Sequence, residues 1–272
     1  MSQSFQPDNY EFLRKYIYKN VGIVLGSDKQ YLLDCRLIPI AQQRGLQTLN
    51  ELCELLRATS DPSLGAQVAE AMTTNETYFF RDPAHYEAIR QYLLPRLRVE
   101  RRDTRRLRFW SAAASTGQEA FSLAMALLED GFQDWNVHIL GTDYSNQVLE
   151  RARRGTFPQL EVNRGLSAPL LVKYFRRAGL DWQLSEGPRN MVHFEALDLR
   201  KSMRSLGPFD LVFCRNVLIY FDGETKRQIL KELHGTLYRG GWLLLGGSET
   251  AFGIDEWFDR QAIGRTVVYV AK

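Results

Sequence analysis

The spacing of apolar residues changes along this chain, and the change divides it. Over residues 10–72 they recur every three or four positions, the period of one helix face. Four helices are predicted there, at 10–21, about 28–43, 49–57 and 63–72. Ser27 or Asp28 is placed to cap the second, Gly45 to stop it, and Thr48 to cap the third. Pro39 falls inside the second helix, where its missing N–H and its ring should kink or split it. From Leu107 onward, short runs rich in β-branched and aromatic residues alternate with helical patterns. Strands are read at 107–112, 137–142, 209–214, 241–247 and 265–270, and helices near 118–130, 145–154 and 223–237. Alternation of this kind predicts an α/β fold, a mostly parallel sheet with helices on both faces. Between Thr156 and Leu197 the pattern breaks into short strands and turns, including Tyr174-Phe-Arg-Arg-Ala-Gly, Asp181-Trp-Gln-Leu and Met191-Val-His-Phe-Glu. The expected organisation is a helical domain over 1–90, a basic linker over 91–106, and an α/β domain over 107–272 with a small β insertion at about 157–196.

The first predicted strand runs into tiny residues, Ser111 to Gly117, and Glu119 then opens an apolar helix. A strand that turns through small residues into a helix lets backbone N–H groups approach a ligand. Twenty-six residues past Gly117, the second strand ends on Asp143. An acidic side chain at that point accepts the two hydroxyls of a ribose. The pair suggests a nucleoside-containing cofactor, although the loop lacks a full glycine fingerprint and a tight turn without a ligand is the alternative. Parallel α/β sheets bind ligands beyond the carboxyl ends of their strands, where Ala113, Asp143 and Asn216 would gather. Phe79-Phe80, in the segment joining the two halves, reads either as core or as stacking surface.

Composition narrows the class. Apolar residues make up 44% of the chain and charged residues 25%, ordinary for a globular protein. No apolar run approaches the roughly 20 residues of a membrane span, and the polar first ten residues predict no secretory leader. Three scattered cysteines point to a reducing cytoplasm, and four histidines without ligand spacing predict no metal site. The net charge of +3 hides one concentration: residues 91–108 hold seven arginines against Glu100 and Asp103. A nucleic-acid surface would be broader and interleaved with aromatics. A solvated helix end, or a face for an acidic partner, fits better. On the second helix, Lys29, Arg36 and Arg44 fall roughly on one side, either a solvated basic face or a dock for an acidic helix.

Four ordered segments then resemble one family. They are Asn75-Glu-Thr-Tyr-Phe-Phe-Arg81, Trp110-Ser-Ala-Ala-Ala-Ser-Thr-Gly117, Gly141-Thr-Asp143 and Phe213-Cys-Arg-Asn-Val-Leu-Ile-Tyr-Phe221, with Gly246-Gly-Ser-Glu249 as a fifth. Nearly end to end, the chain resembles the CheR-type chemoreceptor methyltransferases. Ala114, Gln118 and Ala120 depart from common family residues without removing a group the chemistry needs. The resemblance implies a four-helix N-terminal domain before a class I S-adenosylmethionine-dependent methyltransferase sheet carrying a small antiparallel β insertion. It implies that S-adenosylmethionine methylates glutamate side chains of chemoreceptor cytoplasmic helices, leaving S-adenosylhomocysteine. It further implies that Asn75, Thr77 and Arg81 reach the cofactor, Glu119 meets its amino group, and Asp143 its ribose. Asp198 and Leu199 would flank the adenine, and Arg215 with Asn216 would close the methionine side. The β insertion is where family members that tether to a receptor tail would bind it.

A glutamate carboxylate is ionised at neutral pH, with a pKa of about 4.3, so the acceptor needs no general base. Alignment must carry the rate, and it supplies roughly 7–11 kcal/mol in well-oriented systems. Tyr220 and Arg98 are the candidates to orient the acceptor, and both could equally be structural. Lys29, Arg36 and Arg44 would steer an acidic receptor helix. Two other readings stay open: a module that holds S-adenosylmethionine and signals through a partner, and a methyltransferase for another carboxylate or RNA.

Overall fold

The computed structural model describes residues 6–26, 28–59, 61–251 and 253–272. They fall into two compact units, one running through Thr74 and taking in Tyr220–Thr225, the other comprising Asn75–Ile219 and Lys226–Lys272.

The first unit is helical. Helix α1 (Pro7–Val21) opens on a proline, whose missing N–H costs nothing there, and buries Leu13, Ile17 and Val21 at four-residue spacing. Gly22 ends it at φ 74°, the left-handed cap that glycine adopts without strain. Helix α2 (Gln30–Gln43) buries Leu33, Leu37, Ile40 and Ala41. Pro39 sits inside α2 without splitting it. Of the two expected caps, Asp28 does not serve, since Lys29 is the N-cap and makes no side-chain capping bond; Ser27 lies outside the described residues. Helix α3 (Leu49–Ala58) does use Thr48, whose hydroxyl accepts the Glu51 N–H at 3.2 Å, while the Glu51 carboxylate returns to the Gln47 N–H. Helix α4 (Pro62–Ala71) is capped by Asp61, which accepts the Ser63 N–H at 2.8 Å. A polar link crosses the bundle: Asn9 donates to Asn50 and accepts from Arg57.

The second unit holds a seven-stranded sheet and a three-stranded one. Its strands are β1 (Arg106–Ser111), β2 (Asn136–Asp143), β3 (Thr156–Pro158), β4 (Phe175–Ala178), β5 (Asp181–Leu184), β6 (Val192–Ala196), β7 (Phe209–Cys214), β8 (Leu237–Leu245), β9 (Phe258–Ile263) and β10 (Thr266–Ala271). The large sheet runs β6-β2-β1-β7-β8-β10-β9, with β6, β2, β1, β7 and β8 mutually parallel and β10 antiparallel to both its neighbours. This is the expected methyltransferase sheet. The small antiparallel sheet is β3-β5-β4. Every residue of β7 is buried, as a central parallel strand requires.

Three features differ from the sequence reading. Met191-Val-His-Phe-Glu is not part of the insertion, because Val192–Ala196 pairs with β2 and forms an edge of the large sheet. Strand β9 escaped notice because four of its six residues are exposed, leaving little apolar pattern. The segment 91–106 is largely helical. Helix α5 (Pro83–Ala88), a π-helical turn at Ile89–Leu93 and helix α6 (Leu94–Glu100) follow one another, and Leu93, Leu94 and Leu97 are buried in the α/β core. Their apolar spacing carries a helical signal that the dense arginines mask. That core is also why the chain divides at Thr74 and Asn75, upstream of residue 90.

Candidate active site

Strand β1 ends at Ser111, and the next five residues bend between its two neighbours. The Ala112 N–H donates to Phe213 O of β7 at 2.7 Å, and the Ala114 N–H to Thr142 O of β2 at 2.8 Å. Ser115 sits at φ 50° and Gly117 at φ 94°. Gly117 has no room for a side chain: a Cβ there would lie 2.8 Å from Phe121 and 3.0 Å from Phe194. Helix α7 (Gln118–Glu129) starts at that glycine, so its free N–H groups face the strand ends.

Asp143 closes β2 beside this loop. Its carboxylate accepts the Ser115 N–H at 2.9 Å and the Ser145 N–H at 3.0 Å. A carboxylate at this strand end presents acceptor oxygens of the kind a diol requires. The adjacent edge strand brings the next pair, since Leu197 N donates to Asp143 O at 2.9 Å and Asp198 and Leu199 follow. Asp198 is held by the Arg200 guanidinium at 2.6 Å, and Leu199 is buried.

A charged cluster sits on the other side of the loop. Glu119, in the first turn of α7, accepts the Ser111 hydroxyl at 2.6 Å and Arg215 Nη1 at 2.7 Å. The second Arg215 amine donates to Asp82 Oδ2 at 2.6 Å and to Arg81 O at 2.8 Å. Arg215 is 5% exposed and Glu119 8%. Burial works against the Arg215 charge, but Glu119 and Asp82 outweigh it and hold the pKa above its ordinary value. Asp82 feels the same opposition, and its bond to Arg215 keeps its carboxyl below the usual range. Two carboxylates on one guanidinium leave the cluster with a net negative charge. Arg215 Nε and Asn216 Oδ1 are buried without hydrogen-bond partners. Buried polar atoms left this way carry a cost of roughly 1–3 kcal/mol, which a ligand can relieve.

The segment from Asn75 to Asp82 is stitched across the start of α7. Asn75 O accepts the Ser115 hydroxyl at 2.7 Å, and the Phe80 N–H donates to Ser122 Oγ at 2.9 Å. Phe79 resolves to core, edge-on to Phe157 and Phe175 with centroids 5.0 and 5.6 Å away. Phe80 is partly buried and meets Tyr86. Thr77 is half-buried in this segment, and Arg81 Nη1 donates back to Glu76 O.

Residues 75–267 match the model described as CheR methyltransferase, SAM binding domain, and residues 8–73 match CheR methyltransferase, all-alpha domain. The chain belongs to the CheR methyltransferase family. Like that family, it is an S-adenosylmethionine-dependent methyltransferase. It is 42% identical to chemotaxis protein methyltransferase 1 of Pseudomonas aeruginosa, across 97% of this chain and 98% of that one. It is 38% identical to chemotaxis protein methyltransferase Cher2 of Pseudomonas putida, with the same two coverages. A chemotaxis protein methyltransferase of Vibrio parahaemolyticus is 35% identical over 97% of this chain and 96% of its own. The two family regions meet where the structure divides, between 73 and 75.

Within the second unit, then, the carboxyl edge of this CheR-family chain gathers Glu119, Asp143, Asp198, Leu199, Arg215 and Asn216, with Asn75 and Arg81 tied to it through their carbonyls and Thr77 lying between those two in the chain. Arg98 does not join them. Its guanidinium bonds to Asp130 O at 2.5 Å and stacks on Phe132. Asp130 caps the far end of α7, about 16 Å along the helix from Glu119 at 1.5 Å per residue. Arg98 therefore serves the opposite edge, and an acceptor-orienting role for it is withdrawn. Tyr220 lies at the end of a 3₁₀ turn, Leu218–Tyr220, and falls in the helical unit, where its carbonyl accepts the Val24 N–H at 2.9 Å.

The three cations of α2 do not form a free basic face. Arg36 donates to Met72 O, Thr73 O and Thr74 Oγ1, closing the C-terminal end of α4. Arg44 pairs with Asp61 at 3.0 Å and reaches Gln67. Lys29 is 3.6 Å from Asp28 and 44% exposed. Sequence reasoning missed Ser111, Asp82 and Ser115, whose roles come from backbone geometry and pairing across the fold.

Proposed function

We propose that this protein transfers the methyl group of S-adenosylmethionine to glutamate side-chain carboxylates on the cytoplasmic helices of chemoreceptors, releasing glutamyl methyl esters and S-adenosylhomocysteine. The observation that carries the reading is the Asp82–Arg215–Glu119 cluster facing Asp143 across one loop, in a chain of this family. When bound, S-adenosylmethionine supplies a methyl group activated by a positive sulfonium. Asp143, at the end of β2 beside the loop, is the acceptor for the ribose diol. Asp198, locked by Arg200, and buried Leu199 border the adenine. Glu119, with the surplus negative charge of its cluster, receives the methionine ammonium, while Arg215 Nε, Asn216, Asn75, Thr77 and Arg81 take its remaining polar groups.

The acceptor is already an anion at neutral pH, so no side chain need remove a proton. What the protein must do is align it and strip its water, the contribution worth roughly 7–11 kcal/mol in well-oriented systems. On receptor contacts the reading is narrower than the sequence suggested: Lys29 alone of the three α2 cations is offered for steering an acidic helix. The open edges of β3-β5-β4 suit a receptor tail added as a strand, beside the exposed Leu160, Val172 and Leu180. No helix of the described residues is long and apolar enough to cross a membrane, and the reading places the enzyme in the cytoplasm with the receptor tails.

Titration calorimetry of S-adenosylmethionine and S-adenosylhomocysteine against the wild type and Asp143→Ala tests the cofactor site. Affinity should fall at least 100-fold in the variant. Equal affinity in the two proteins would refute the ribose role. Transfer of labelled methyl groups to a receptor cytoplasmic fragment, as base-labile esters, tests the substrate; cofactor binding without such transfer would leave a binding module instead.

A further inference from the structure

Strand β7 hands its chain to the site through two residues, and the second is held in an unfavourable conformation. Asn216 has φ 58°, in the left-handed region that costs an ordinary residue roughly 1–2 kcal/mol. One side chain accounts for its stability there. The Glu249 carboxylate accepts five backbone N–H groups: Oε2 takes Asn216 at 2.6 Å and Gly246 at 2.7 Å, and Oε1 takes Val217 at 3.0 Å, Leu218 at 2.8 Å and Ile219 at 3.3 Å. These donors come from the ends of two adjacent parallel strands, β7 and β8. Gly246 completes the fit, because a Cβ there would lie 2.7 Å from Asn216 Nδ2 and 2.8 Å from Glu249 Oε2. The clamp leaves Asn216 Oδ1 buried and without a partner.

We infer that Glu249 is a positioning residue for the cofactor site: it clamps the turn after β7 so that Arg215 and Asn216 present their unpartnered atoms to the methionine end of the cofactor. This rests on the proposed role of Asn216. Glu249 acts through that turn, with its own oxygens fully engaged by backbone. A glutamine at this position would keep the shape and lose the anion, and would turn an NH2 group onto N–H donors.

The test is calorimetry of S-adenosylmethionine on wild type, Glu249→Gln, Asn216→Ala and the double variant, each checked for a cooperative thermal transition well above the assay temperature. Glu249→Gln should bind at least tenfold more weakly, and the double variant should be no weaker than Asn216→Ala, since both changes strike one element. Unchanged affinity in folded Glu249→Gln, or effects that add, would overturn the inference. If Glu249→Gln does not fold cooperatively, Gly246→Ala displaces the same two side chains and must weaken binding likewise; normal affinity there would overturn it too. A wild type that binds no S-adenosylmethionine would instead bring down the cofactor assignment on which this rests.

Discussion

The two edges of the large sheet both use arginines against buried acids, to opposite ends. At the amino edge, Asp210 is 2% exposed and takes Arg101 at 2.9 Å together with the Arg108 N–H at 2.9 Å. Arg108 donates to Leu206 O and Gly207 O, Arg96 to Gly240 O and Arg98 to Asp130 O. Arg96 Nε makes no hydrogen bond there but lies 3.6 Å from the Glu100 carboxylate. At the carboxyl edge, one guanidinium serves two carboxylates, Arg215 Nε, Asn216 Oδ1 and nearby His85 Nδ1 are unpartnered, and Phe80, Asp82, Ser115 and Asn216 all have positive φ. The amino edge shows one such residue, Arg105. The same residue types make a closed fastening at one edge and an open, strained receptor at the other, which is where strain and unmet polar groups point to ligand chemistry.

Variants can break or sharpen that contrast. The largest effect is expected at the fastening: Asp210→Ala leaves a buried N–H and a partly buried guanidinium unmatched, and should cost about 3–5 kcal/mol in denaturant unfolding. S-adenosylmethionine affinity of the folded variant should stay within twofold, and a larger loss would erase the distinction between the edges. Next is pH. Burial, reinforced by Arg215, lowers the His85 pKa to about 4. The unfolded chain takes up that proton below about pH 6.5, so stability should fall as pH drops from 6.5 towards 4, by at most about 3 kcal/mol. His85→Gln should flatten the profile over that window, and an unchanged profile would remove His85 as its source.

A smaller change is expected for Glu119→Gln, which keeps the shape of the cluster and removes its surplus charge. Cofactor affinity should weaken about tenfold, roughly 1.4 kcal/mol, with a thermal midpoint shift of only a few degrees. Calorimetry showing unchanged affinity would deny that charge a role. Least of all, Arg98→Ala should leave methyl transfer untouched and lose about 1 kcal/mol by releasing one carbonyl contact and one exposed stacking contact on Phe132; a collapse in turnover would return it to the site.

Legibility in the sequence followed the same divide between local pattern and distant pairing. Glu119 opens a helix and Asp143 closes a strand, so apolar periodicity alone set both at one sheet edge. Asn75, Thr77 and Arg81 carry no such pattern and were readable only through likeness to a family. Arg98 and Arg215 show why: both are arginines beside apolar runs, and nothing local says that one meets Asp130 while the other meets Glu119 and Asp82. Arg36 and Arg44 line up on α2 as a basic face, yet their targets, the end of α4 and Asp61, lie 17 or more residues away.

By itself, then, the sequence determined where helices and most strands form, that the sheet is largely parallel, and which edge of it receives a ligand, because periodicity and turn chemistry act over a few residues. Tertiary structure alone decided that Val192–Ala196 joins the large sheet, that Leu93, Leu94 and Leu97 are buried in the α/β core, and that Glu249 clamps the chain around Asn216. Those outcomes depend on which backbone N–H and C=O groups meet across the fold, and every residue but proline carries both, so no pattern of side chains announces them.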